Sequence, residues 1–155
     1  MTNPICFAAL CMAFPGADSV QAGPSFDEIT IRTETGDDVI IRGTIVGMSK
    51  DHVVLLGGSR KRKYPVTSIR RIVFSGEPVE LTQARSFIEQ RRFKEALEEL
   101  DGISWSKSPR RIVLHEVEYF RVVCMAELAL AGKGDKGGAS QEIRKFAEKH
   151  PDTFH

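Results

Sequence analysis

Residues 37–74, DDVIIRGTIVGMSKDHVVLLGGSRKRKYPVTSIRRIVF, hold short runs rich in Val, Ile and Leu separated by turn residues, and their reading decides the fold. The runs VIIRGTIVGM, VVLL, KYPV and IRRIVF have the length and β-branched content of strands. Upstream, FDEITIRT adds a fifth, beginning at Phe26. Thr35-Gly36-Asp37-Asp38, Ser49-Lys50-Asp51-His52 and Gly57-Gly58-Ser59 are turns by composition. Five short strands in about fifty residues are too few for two packed sheets, so the pattern predicts one strongly bent sheet closed on itself. Gly43 and Gly47 flank Thr44-Ile45-Val46 and mark the bend. Pro65 breaks the ladder before a last strand from Ile69 to Phe74.

The basic quartet Arg60, Lys61, Arg62 and Lys63 allows two readings. As a hairpin tip, its charges keep the turn wet and discourage edge pairing. As a nucleic-acid patch making about four phosphate contacts to a single strand, it would give a salt slope of roughly −3. Residues 23–78 carry nine basic and seven acidic residues, which is not the basic excess of a polyanion-binding domain. Tyr64 is the one aromatic beside the quartet for base stacking. The solvated turn is therefore expected.

After Gly76-Glu77-Pro78 the apolar period changes to that of a helix. Leu81, Ala84, Phe87, Ile88, Phe93, Ala96, Leu97, Leu100 and Ile103 recur at spacings of three and four, interrupted at Gln90-Arg91-Arg92. The interruption predicts two helices joined by a tight turn. A longer stretch from about Arg110 to Ala131 places Val113, Val117, Phe120, Cys124 and Leu128 on one stripe and Tyr119, Val123 and Leu130 on a neighbouring one, which predicts burial on two sides. Gly132-Lys133-Gly134-Asp135 then joins it to a last helix carrying Ala139, Ile143 and Phe146 and ending before Pro151. The chain is thus expected to be α+β in two domains, a barrel at 23–76 and helix pairs at 79–155.

Both halves resemble known families. The order of DVIIRGTIVG, HVVLL and YPVTSIRRIVF is similar to the SH3-like barrels of the Sm-like group. In the bacterial RNA-chaperone branch of that group, a Lys and a His following a Tyr contact RNA; here Pro65 and Val66 follow Tyr64. The helical half resembles the tetratricopeptide repeat: a small residue (Ala84), an aromatic (Phe87), a second aromatic after the turn (Phe93), a small residue (Ala96) and a large apolar one (Leu100). Gly134, Ala139 and Pro151 match that repeat's turn Gly, small residue and terminal Pro in spacing. Arg91 stands where the family has a turn Gly, and Glu80 where it has Trp. The equivalent alanines Ala96 and Ala139 are further apart than the standard repeat, which fits an inserted loop at ISWSKSP, 103–109. The resemblance implies a partner-binding face formed by the first helix of each pair, and so nominates Arg85, Ile88 and Glu89 as outward contacts, with Tyr119 and Arg121 from the second pair.

Residues 1–22 differ from the rest, with no Lys or Arg and a short apolar stretch from Ile5 to Phe14. The stretch has the length of a signal-peptide core rather than a membrane span, and Val20-Gln21-Ala22 suits cleavage before Gly23. Export to the periplasm or cell envelope is expected, with a cytoplasmic chain as the alternative. Cys6 and Cys11 fall in that leader, leaving Cys124 as a buried small hydrophobe in the mature chain. The ending, Pro151 followed by Asp152-Thr153, reads as the start of a further helix, so a continuing array or a partner covering the last face is expected.

Catalytic motifs do not emerge. His115-Glu116-Val117-Glu118-Tyr119 opens like a zinc-protease helix but has Tyr at the second ligand position. Gly132 to Gly138 lacks the Gly-Lys-Ser/Thr ending of a phosphate loop. His150 and His155 are expected to be solvated imidazoles rather than metal ligands. No nucleophile has a base at readable spacing. A non-catalytic exported adaptor without cofactor or metal, binding a protein or peptide through its helix pairs, is the expected function. The alternative is an Sm-like RNA-binding module with a helical assembly domain.

Overall fold

The computed structural model describes residues 25–105, 109–153 and 155. The expected leader, with Cys6 and Cys11, lies outside the described residues. The architecture is α+β, a five-stranded antiparallel sheet followed by four helices. The strands are β1 (Asp27–Arg32), β2 (Asp38–Met48), β3 (His52–Gly57), β4 (Arg60–Pro65) and β5 (Ile69–Val73), in the order β4-β3-β2-β1-β5. Consecutive strands β4 and β5 therefore sit at opposite ends of the sheet, yet a single 3-10 turn, Val66–Ser68, joins them. A flat sheet would separate them by about 19 Å, four strand spacings. A turn of that length covers about 8 Å at most. The sheet must curl until its two ends approach.

Two irregularities produce the curl. In β2 the register with β3 shifts between Ile45 and Gly47, leaving Val46 bulged outward. Nearby, a Cβ on Gly43 would lie 2.6 Å from the Leu56 carbonyl, so only glycine lets β3 cross β2 this closely. In β5, Ile69 pairs with Ile31 and Arg71 with Thr30, leaving Arg70 as the extra residue. The bulge reconciles the three-residue spacing of Ile69 and Ile72 with a period-two strand. Ile72 is buried and Ile69 half-buried, whereas Arg70 and Arg71 are both exposed.

The basic quartet is not a hairpin tip. The turn is only Gly58-Ser59, with Gly58 at φ +61, and Arg60 to Lys63 lie inside β4, paired with Gly57 back to Val54. A glycine at the first turn position permits this two-residue reversal. The charges then line an outer strand, where they oppose edge-to-edge association.

The helices are α1 (Val79–Glu89), α2 (Phe93–Asp101), α3 (Arg111–Leu130) and α4 (Lys136–Lys149), each packed on the next, with α1 also touching α3. Arg91 ends α1 at φ +60, with Arg92 N–H donating to the Phe87 carbonyl and Arg91 N–H to that of Ile88. The same pair of hydrogen bonds closes α3 at Gly132, with the Lys133 N–H donating to the Leu128 carbonyl and the Gly132 N–H to that of Ala129. Asp135 caps α4 by accepting from the Gly137 and Gly138 amides. Ala84 and Ala96, the small residues of the first pair, are fully buried. One hydrophobic cluster runs from Ile29 and Phe74 of the sheet segment through Leu81 and Leu100 to Val117 and Cys124.

A buried carboxylate ties sheet to helices. Asp27, 1% exposed, accepts from the Ile45 amide at 2.6 Å, the Ser75 amide at 2.8 Å and both Arg110 Nη atoms at 2.5 and 3.0 Å. Burial pushes its pKa up, but the Arg110 bond and the two amides outweigh it and hold the carboxyl below the ordinary Asp value.

Candidate functional site

A cleft of about 390 Å³ runs along the outer side of β5, between that strand and helices α1 and α3. Ile69, Arg70, Arg71 and Ile72 line it as a consecutive run, so the strand presents its backbone edge as well as its side chains. β5 pairs only with β1; beyond that ladder the Ile69 amide donates to the Val66 carbonyl, and no other described backbone group bonds to residues 70–73. Across the cleft stand Ile88 and Glu89 of α1 and Tyr119 and Phe120 of α3.

Four of the five residues nominated from sequence, Arg85, Ile88, Glu89 and Tyr119, line this one cleft. Their roles differ from the expectation. Arg85 was expected to face outward but is 5% exposed, with Nη1 donating to Glu77 Oε1 at 2.5 Å and Nη2 3.6 Å from Glu116 Oε2. The guanidinium also lies over the Phe120 ring. Leu81, Ala84, Arg85 and Ile88 share one helical stripe, so a charge there must be buried when that stripe packs against α3. Glu77 completes the arrangement, accepting from the Phe74 amide at 2.9 Å and from the Thr82 hydroxyl at 2.9 Å. Ile88 is half-buried and Glu89 exposed. Tyr119 is half-buried; burial first, then the Glu116 charge, raises its pKa.

Arg121 lies elsewhere. It lines a second cleft of about 500 Å³ between α2, α3 and α4, and its guanidinium pairs with Asp101. The quartet lines neither cleft: its four residues are exposed on β4, and Arg60 and Arg62 stand beside Tyr64 and Arg42 in a separate pocket.

The histidines form a group that the sequence did not suggest. His155 and His150, expected in solvent, have side chains only 11% and 15% exposed. His155 Nε2 lies 2.7 Å from Glu116 Oε1, and its ring stacks on Tyr119 with centroids 3.5 Å apart. His150 Nε2 lies 2.8 Å from Glu118 Oε2, and its ring is 4.3 Å from that of His115. Burial, then the neighbouring imidazoles of His150 and His155, lower the His115 pKa to about 4. Contact between α3 and the segment after α4 brings these rings together, a long-range packing event with no local sequence signature.

Asp27, Glu77 and Glu116 were the charged residues that sequence reasoning passed over, though a signal existed. Asp27 occupies the same strand face as Ile29 and Ile31, and Glu116 falls on the stripe of Val113, Val117 and Phe120. A carboxylate on an apolar face demands a partner. Cys124 is buried as expected, and burial raises its thiol pKa to about 11, which leaves it a poor nucleophile. Among the described residues no group of three His, Cys, Asp or Glu is placed to hold a metal ion, and no helix is long and apolar enough to cross a membrane. Comparison with protein-family models, curated proteins and solved structures finds no match.

Proposed function

We propose that this chain is a non-catalytic exported adaptor that holds a protein or peptide partner in the cleft beside β5. An SH3-like barrel and tetratricopeptide-like helix pairs form the cleft's two walls. The observation that carries this reading is the convergence of Arg85, Ile88, Glu89 and Tyr119 on one cleft bounded by an unpaired strand edge. Arg85 is a rigid strut of the wall, held by Glu77 and Glu116, while Ile88, Glu89 and Tyr119 are the contact groups. The strand order and its short return turn support the SH3-like reading. The buried alanines and the turn at Arg91 support the helix-pair reading. Export rests on the composition of residues 1–22.

The test is panning of a random peptide library against the protein, with every binder retested on the Ile88→Glu variant. Binders lost on that substitution support the reading; a library yielding none dependent on Ile88 rejects it. Mass spectrometry of the expressed chain, with a start at Gly23 expected, checks export separately.

A second reading, an Sm-like RNA-binding module with a helical assembly domain, is favoured by one observation. Arg60, Lys61, Arg62 and Lys63 are all exposed, and none is in an ion pair among the described residues. Single-stranded RNA affinity would then fall with a log-log salt slope of roughly −3. Neutralising the quartet would abolish it.

A further inference from the structure

The cleft has the form of a groove between a strand edge and two helices, and that form selects among peptide conformations. β5 has one neighbour, β1; the Ile69 amide is held by the Val66 carbonyl, but from Arg70 to Val73 no backbone bond besides the ladder with β1 is found among the described residues, so that stretch of the outer edge is open to the groove. Ile69 and Ile72 on its inner face continue into Ile88 and Phe120, making an apolar floor. The bulge at Arg70 turns two consecutive guanidiniums to the opposite face, and neither is in an ion pair or a side-chain hydrogen bond among the described residues. The acidic groups of the groove are Glu89, exposed at the end of α1, and Glu116, already held by Arg85 and His155. The rim beside the strand is therefore basic.

We infer that this groove takes an extended partner segment as an added strand on β5, with apolar residues alternating with acidic ones. Strand addition supplies partners for the open backbone groups, and the period of two sends alternate side chains to opposite faces. One set then rests on Ile88 and Phe120, and the other stands beside Arg70 and Arg71. A second copy of this chain is a poor occupant. Its two edge strands carry Arg60 to Lys63 on β4 and Arg70 and Arg71 on β5, and either would set like charges against like. An acidic strand from another protein meets both requirements. The inference rests on the adaptor reading and adds to it the conformation and charge of the partner.

The probes are three fluorescein-labelled heptapeptides read by fluorescence anisotropy: one alternating Glu and Val, one alternating Lys and Val, and the Glu peptide N-methylated at alternate amides. Binding of the Glu peptide alone is expected. The double variant Arg70→Glu, Arg71→Glu should weaken it by about tenfold or more and bring up the Lys peptide. Should that variant fail to fold, as judged by circular dichroism, Arg70→Ser with Arg71→Ser should still weaken the Glu peptide. Absent binding of the Glu peptide, equal binding of the N-methylated or Lys peptide, or displacement by oligouridine each overturns the inference. If library panning still selects peptides lost on Ile88→Glu, strand addition fails while the adaptor reading stands; if it selects none, both fail.

Discussion

Removing Asp27 should uncouple the sheet from the helices, and its surroundings set the size of the effect. Every group within hydrogen-bond distance of the carboxylate is a donor: the Ile45 and Ser75 amides and the two Arg110 Nη atoms. Asp27→Ala leaves two shielded amides unpaired, at about 1–3 kcal/mol each. The Arg110 side chain is 37% exposed and can turn to water, so its freed charge adds little. The expected loss is about 2–6 kcal/mol, a large part of the stability of an ordinary domain. Asp27→Asn separates the electrostatic role from the packing role. It keeps the volume but sets an NH2 group among donors, so it should cost within about 1 kcal/mol of the Ala change. Arg110→Ala should cost less, about 1–2 kcal/mol, because the carboxylate keeps its two amides. Urea unfolding followed by circular dichroism at 222 nm gives each value, and the double variant gives the coupling. An Asn variant as stable as the wild type, or a coupling near zero, would refute the tie.

Three further outcomes follow from the same geometry. His115 takes up a proton near pH 4 in the folded chain and near 6.5 unfolded, so the unfolded state binds more protons between those values. Stability should fall as pH drops from 6.5 toward 4, by at most about 3 kcal/mol; His115→Gln should flatten that slope, and equal slopes in urea titrations of both proteins would reject the assignment. Leu100, 1% exposed, should lose about 2–5 kcal/mol on truncation to Ala, and an unchanged urea midpoint would show that it is not core. Arg91 occupies the left-handed region at φ +60 with its side chain exposed, so Arg91→Gly should stabilise the chain by about 1 kcal/mol, read as a raised melting temperature.

Local chemistry made much of this protein legible from its residues. Helix ends follow from the breaks at Gln90-Arg91-Arg92 and Gly132 to Asp135, where the structure terminates α1 and α3 and caps α4. The strands follow from β-branched runs between turn residues, whereas the bulge at Arg70 emerges only from the register of β5 with β1. At the quartet, composition alone overstates the length of the hairpin turn, because turn residues and exposed edge residues share the same polar character. What only tertiary structure decided is which charges are buried. Arg85 and Arg121 have the same chemistry on neighbouring helices, yet Arg85 meets Glu77 and Glu116 and stays inside while Arg121 remains half-exposed with Asp101. Asp27 finds Arg110 across 83 residues, and the three histidines meet through packing after α4. A side chain's dielectric surroundings are set by whatever the fold brings against it, and spacing along one element does not contain that information.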